Sequence, residues 1–398
     1  MEIRIGPPAT GPNFYKRPLL IGNLLRALKR GNLAFLGPRR TGKTSCLEEI
    51  RANPTHFIPI LINLEEIDTV EAWLNAMIND LREALEKPQS SFSWAKEGVA
   101  GVLKNLEKIE IPAFVSLDLR KGIQEPPWRK TADAFLKLLA ESDVPVLFLL
   151  DEFPTFLKLV ARKISREEVE SVLNWFRAAR NDLKDRQARF LVTGSIGLKG
   201  VVKSLGLAPA VNDFDTYEIP PLLDAEAHGL LGTLAADHTL PLTDSGRTKI
   251  LELLGTNWPI LLQLFISEIQ EADFRNPPTN ADLESIYREK LVHGSRNKYC
   301  DGMYDRLTDT FAPSEAQLAR EILKATCRSA DGVDRESFDK IHSRLVPESN
   351  ARALVTDELD HVIDTLKHDG YLRQLTSGQQ LTIFASNILR DFWLRKTS

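Results

Sequence analysis

Four continuous apolar runs mark the first half of the chain: 32–36 (NLAFL), 56–64 (HFIPILINL), 145–152 (PVLFLLDE) and 188–195 (ARFLVTGS). A shorter, more polar run follows at 216–219 (TYEI). Apolar residues at helical spacing lie between them, at 21–29, from Gly42 onward, at 70–85 and at 165–183. Unbroken apolar strands alternating with amphipathic helices predict a parallel sheet covered on both faces, an α/β fold. The helix at 165–183 opens on Ser165 with Glu168 three residues on, the spacing of a capping box. The stretch 88–127 interrupts the alternation. It holds one helical pattern (95–109) and one alternating strand pattern (113–119), and reads as an insertion.

The pattern changes after Pro220 and Pro221. Helical periodicity dominates 224–290, with stops near Pro241, Asn257 and Pro277, and predicts a small helical lid. Past Pro313 come helices near 314–327, 334–344 and 357–368, then two short strands about a Ser-Gly turn. That order, three helices and a hairpin, predicts a winged helix. The chain therefore divides into an extended segment (1–18), an α/β domain (19–220), a helical lid (221–292), and a linker helix with a winged-helix domain (293–398).

Composition narrows the setting. The 398 residues are 43% hydrophobic and 27% charged with a net charge of −4, so no overall basic field draws the chain onto nucleic acid. The three cysteines, Cys46, Cys300 and Cys327, have no metal-binding spacing and predict a reduced, cytoplasmic protein. The first eighteen residues place Gly and Pro where a secretion signal needs an apolar run. The apolar stretches are too short to span a bilayer, so no membrane partner is expected.

The first strand runs into GPRRTGKTS: Gly37, Pro38, Arg39, Arg40, Thr41, Gly42, Lys43, Thr44 and Ser45. This fits G-x-x-x-x-G-K-[ST] in full, with an apolar strand before and a helix after. The glycines let backbone N–H groups turn in around a phosphate, Lys43 reaches the β- and γ-phosphates, and the Thr44 hydroxyl can ligate Mg²⁺. The helix N-terminus adds partial positive charge. Asp151, closing the third strand, can hold hydrated Mg²⁺, and Glu152 beside it can polarise an attacking water. Thr193 or Ser195, ending the fourth, can sense the terminal phosphate. Arg39 and Arg40 read equally as phosphate or subunit contacts and as solvated loop charge. His361, Asp364 and His368 share a helical face that reads as solvated rather than metal-binding.

GPRRTGKTS, LFLLDEF and LVTGS, in this order, resemble the archaeal-type ATPase branch of the STAND NTPases, relatives of the AAA+ ATPases. The resemblance covers about residues 17–290, and more loosely the tail from Gly370. It implies ATP and Mg²⁺ as cofactors, Lys43 and Thr44 on phosphate and metal, Asp151 on metal, Glu152 activating water, and Ser195 or Thr193 sensing the γ-phosphate. The family's lid carries Gly-x-Pro near the nucleotide base. Here that stretch is Asn257-Trp258-Pro259, with Asn in place of Gly, a residue that tolerates the left-handed turn, and Pro259 also opens a helix. No lid arginine is recognisable, and Arg177 and Arg180 are the candidates for an arginine finger.

These readings predict an ATP-hydrolysing switch whose nucleotide state controls self-assembly or a protein effector. The alternative is a DNA-handling ATPase of the replication-loader or transposition-regulator type. Residues 331–398 carry eleven acids against nine Lys and Arg, and the helix placed for groove docking begins TDELDHVID. DNA is therefore disfavoured there. The basic residues of 158–203 form the candidate nucleic-acid face.

Overall fold

The computed structural model describes residues 1–86, 98–109, 126–194, 198–294, 298–345, 352–375 and 380–397. They form two compact units. One comprises Lys16–Leu36 and Lys43–Ile219; the other comprises Met1–Tyr15, Gly37–Gly42 and Pro220–Ser398.

The first unit is built on five parallel strands, β1 (Leu33–Leu36), β2 (Ile58–Asn63), β3 (Val146–Asp151), β4 (Arg189–Gly194) and β5 (Asp215–Glu218), in the order β2-β3-β4-β1-β5. Composition and burial agree at β3 and β5. β3, an unbroken apolar run, is buried at every residue, whereas the polar β5 takes an edge and leaves most of its side chains in solvent. Register pairs the C-terminal ends of neighbouring strands: Phe35 lies beside Thr193, Leu36 beside Gly194, and Asn63 of the edge strand β2 beside Asp151. Ligands of open α/β sheets bind beyond that edge.

Parallel strands need crossovers, and helices supply them here. They run over Lys43–Ala52, Val70–Glu86, Pro127–Glu141, Phe153–Lys163 and Arg166–Asp182. Those at Pro127–Glu141 and Phe153–Lys163 go beyond the periodic segments named above. An aromatic cluster joins them. The Trp73 ring lies 5.3 Å from both Phe156 and Phe176, and 6.0 Å from Phe153.

Ser165 does cap its helix, its Oγ accepting from the Glu168 N–H at 3.1 Å. The Glu168 carboxylate instead accepts from the Trp128 indole, so the reciprocal half of the expected capping box is given up to the core. The expected helix in the insertion is shorter than its pattern, Val99–Leu106, and starts after Gly98 at φ 95°. The strand predicted at 113–119 lies outside the described residues.

In the second unit, helices occupy Asp224–Asp237, Asp244–Leu254, Pro259–Glu271 and Asn280–Ser285, continued by a π-helical stretch at Ile286–Val292. Helices Lys298–Asp305 and Leu307–Thr310 follow. Then come Pro313–Arg328, Arg335–Leu345 and Arg352–His368, an antiparallel pair of strands (Leu372–Gln374 and Thr382–Phe384), and a last helix, Asn387–Thr397. The predicted order of three helices and a hairpin is present, and the closing helix is an addition to it. The first residues belong to this unit: the Met1 amino group pairs with Asp237, and the Arg4 N–H donates to Gln263 Oε1 at 2.6 Å.

The left-handed residue near Pro259 is Gly255 (φ 65°), which closes helix Asp244–Leu254; Asn257 does not adopt that conformation. Its amide donates to the Leu222 carbonyl at 3.1 Å and to Asp224 Oδ1 at 2.7 Å. A side chain with two donors suits that role, and glycine has none. Pro259 opens its helix, as expected.

Candidate phosphate-binding site

The loop between β1 and helix Lys43–Ala52 carries three positive-φ residues, Gly37 at 148°, Arg40 at 60° and Gly42 at 98°. Glycine adopts such angles without cost, but an arginine held there is strained, and strained backbone concentrates at functional sites. The Thr41 hydroxyl donates to the Pro38 carbonyl at 2.7 Å and braces the turn. A Cβ added to Gly42 would meet no atom within 4 Å, so the loop opens there onto free space. These features suit a backbone cradle for phosphate.

Just past the loop, Lys43 and Ser45 are buried, and Thr44 Oγ1 donates to Asp151 Oδ2 at 2.6 Å. The other Asp151 oxygen accepts from the Thr193 hydroxyl, and the Glu152 N–H points to Thr193 Oγ1 at 3.4 Å. The level ends of β3 and β4 make this possible. Asp151 is 3% exposed. Burial raises its pKa; the Thr193 and Thr44 hydrogen bonds pull it down, Glu152 pushes it up, and Lys43 pulls it down. Glu152 has a φ of 57°, turning the chain sharply between β3 and helix Phe153–Lys163, and its Oε2 accepts from Thr155 Oγ1 at 3.2 Å. Thr155 was not anticipated as a partner. A hydroxyl three residues after the acid pair, at the start of a helix, was the available signal.

Thr44 and Asp151 offer hard oxygen donors in hydrogen-bond contact. Among the described residues no group of three or more His, Cys, Asp and Glu side chains is poised for a metal. Mg²⁺ does not need one, since it keeps waters and takes one or two carboxylates together with substrate phosphates. The residues present therefore fit Mg²⁺, which Thr44 and Asp151 would hold.

The remaining candidates divide. Ser195 lies outside the described residues, and Thr193 sits on Asp151. Arg177 is exposed. Arg180 is 1% exposed, ion-paired to Asp213 at 2.6 Å, bonded to the Ala210 carbonyl at 2.9 Å and sandwiched between Phe176 and Phe214. Its Nε and Nη2 are bonded within its own unit and its Nη1 is buried there, a placement that does not suit an arginine finger. Arg189 is likewise spent on the carbonyls of Leu28, Leu183, Arg186 and Ala188, and Lys163 pairs with Asp68. These contacts thin the basic face of 158–203. His361 lies 3.9 Å from Glu315.

No protein-family model matches the chain, and no curated protein does. Among solved structures it is similar to the Walker-type ATPase paby2304 of Pyrococcus abyssi, at 17% identity and a TM-score of 0.58, covering 98% of this chain and 99% of that one. It is also similar to the Aeropyrum pernix ORC2 protein in its ADPNP–ADP complexes, at 13% identity and a TM-score of 0.49, over 97% and 94% of the two chains. Another match is the Thermotoga maritima RuvB Holliday junction branch migration motor, at 12% identity and a TM-score of 0.41, over 94% of each. The first match carries the fold: over nearly its whole length this chain has the fold of a Walker-type P-loop ATPase. Among the described residues no helix is long and apolar enough to cross a membrane.

Proposed function

We propose that the protein binds ATP with Mg²⁺, hydrolyses it slowly, and uses its nucleotide state to control self-assembly or engagement of a protein effector. The observation that carries the nucleotide reading is the 2.6 Å bond from Thr44 to Asp151. It joins the residue after the loop lysine to a buried strand-end acid, the two positions that a triphosphate-bound metal needs. When bound, Mg²⁺ neutralises phosphate charge. Lys43 adds a fixed positive charge beside the phosphates. Glu152, turned out of the strand by its left-handed backbone, orients a water and accepts its proton. Thr193 reports on the site through its bond to Asp151. Placement in the STAND branch rests on resemblance of the three motifs.

Slow turnover and a switch role rest on complete loop chemistry without a recognisable lid arginine. Light scattering with no nucleotide, ADP, ATP, and ATP with duplex DNA tests the reading, on wild type and Glu152→Gln. The expected result is a larger particle with ATP alone, locked in that state by Glu152→Gln. Growth that requires DNA would overturn the switch in favour of a DNA-handling ATPase.

A further inference from the structure

The edge at which the parallel strands begin, away from Asp151 and Thr193, carries its own group of polar side chains. Arg189 opens β4, roughly 13 Å from Thr193 at the rise of a strand. Phe57 precedes β2, and Lys29 follows helix Pro18–Leu28 on the way into β1. With His56, Arg186 and Gln187 these residues line a cavity of about 270 Å³. All six belong to the first compact unit.

Arg189 is set in place by the fold itself. Its Nε donates to the Leu28 carbonyl at 3.1 Å, and its Nη1 to Leu183, Arg186 and Ala188 at 3.2, 2.6 and 2.8 Å. Leu28 ends one helix and Leu183 caps helix Arg166–Asp182, so the guanidinium ties two helix C-termini to the sheet. Those bonds use Nε and Nη1, and Nη2 makes none of them. The side chain is half-buried; burial lowers its pKa, and the charge of Asp185 opposes. A fixed, partly desolvated guanidinium with a donor left over is the preformed half of an anion site.

The rest of the lining completes it. Lys29 and Arg186 are exposed, and among the described residues neither is ion-paired. His56 and Gln187 bring ring and amide N–H donors, and buried Phe57 makes an apolar wall. Among the described residues no carboxylate lines the cavity. Basic residues at helix C-termini are favourable in themselves, because they oppose the helix dipole. The dipole does not make three permanent cations converge on one concavity. A nucleic-acid backbone needs a longer run of cations, and Lys163 and Arg180 of the same basic stretch are already paired with Asp68 and Asp213. The converging geometry suits a compact polyanion instead.

We propose that this cavity is a second anion site, separate from the phosphate loop, and that it takes a small phosphate-bearing ligand of pyrophosphate size. Arg189 Nη2, Arg186 and Lys29 hold the phosphoryl oxygens, and His56 and Gln187 donate beside them. The site does not depend on the nucleotide reading, since Lys43, Thr44 and Asp151 have no part in it.

Calorimetric titration with inorganic pyrophosphate tests this, on Lys43→Ala protein so that the loop lysine contributes nothing. The comparison is the same protein with Lys29→Gln and Arg186→Gln added. Both side chains are exposed, so the added changes should leave the melting temperature where it was. The expected result is one pyrophosphate per chain, bound about tenfold more weakly or worse once both cations are replaced. Absence of binding to the Lys43→Ala protein overturns the proposal, and so does binding within about twofold after the added substitutions. Duplex DNA is the second titrant. DNA binding that depends on Lys29 and Arg186, without binding of pyrophosphate, overturns the proposal in favour of a nucleic-acid track.

Discussion

Asp151 sits in a low-dielectric position with two hydroxyls and a lysine arranged to keep it charged. Burial outweighs them and raises its pKa, so the folded state binds its proton more tightly than the unfolded chain does. Its contribution to stability is therefore fullest below the ordinary carboxylate pKa and is lost as pH rises through the raised folded value. Asp151→Asn should remove that pH dependence and raise the melting temperature of the nucleotide-free protein at pH 7, while abolishing Mg²⁺-dependent hydrolysis. Differential scanning fluorimetry across pH, paired with phosphate release, checks both. Glu152→Gln keeps the shape and removes the base, so turnover should fall by ~10²–10⁴-fold with ATP affinity nearly unchanged. Arg180→Ala should behave in the opposite way. It breaks a buried ion pair, costing about 3 kcal/mol in urea denaturation, yet leaves hydrolysis per folded molecule near wild type because Arg180 is occupied by Asp213 and Ala210.

Element ends carry more of the function than element interiors. Helix Arg166–Asp182 was readable from its periodicity and from Ser165, and Ser165→Ala should cost ~1 kcal/mol by chemical denaturation. The destination of Glu168 was not readable. Nothing local says that Trp128, 40 residues earlier, will claim its carboxylate. The acid pair was legible as two polar residues ending an apolar run; the left-handed turn at Glu152 that aims the second acid was not. The left-handed stop at Gly370 was not legible in the sequence. Because it is left-handed and presses on Pro38, Gly370→Ala should cost about 1–2 kcal/mol from the dihedral alone. Gly101 has no atom within 4 Å of its missing Cβ and no positive φ, so Gly101→Ala should cost nothing by the same assay.

At the scale of the molecule, nucleotide should act as a ligand of the folded state only. ATP with Mg²⁺ at a hundred times its dissociation constant should add about 2.7 kcal/mol of stability, and EDTA should remove most of that gain. Thermal melts with and without chelator read it directly.

The strand–loop–helix unit, the acids ending β3, the small polar residue ending β4 and the helical character after Pro220 are all determined by the chain's own pattern. Period, breakers and motif spacing are local properties, and a phosphate loop is formed by consecutive residues. The strand order, the register that brings Asp151 to Thr193 and to Thr44, the internal use of Arg180 and the approach of Gly370 to Pro38 were decided by tertiary structure. Each depends on residues tens or hundreds of positions apart choosing one partner among several chemically equivalent ones, and packing and burial make that choice.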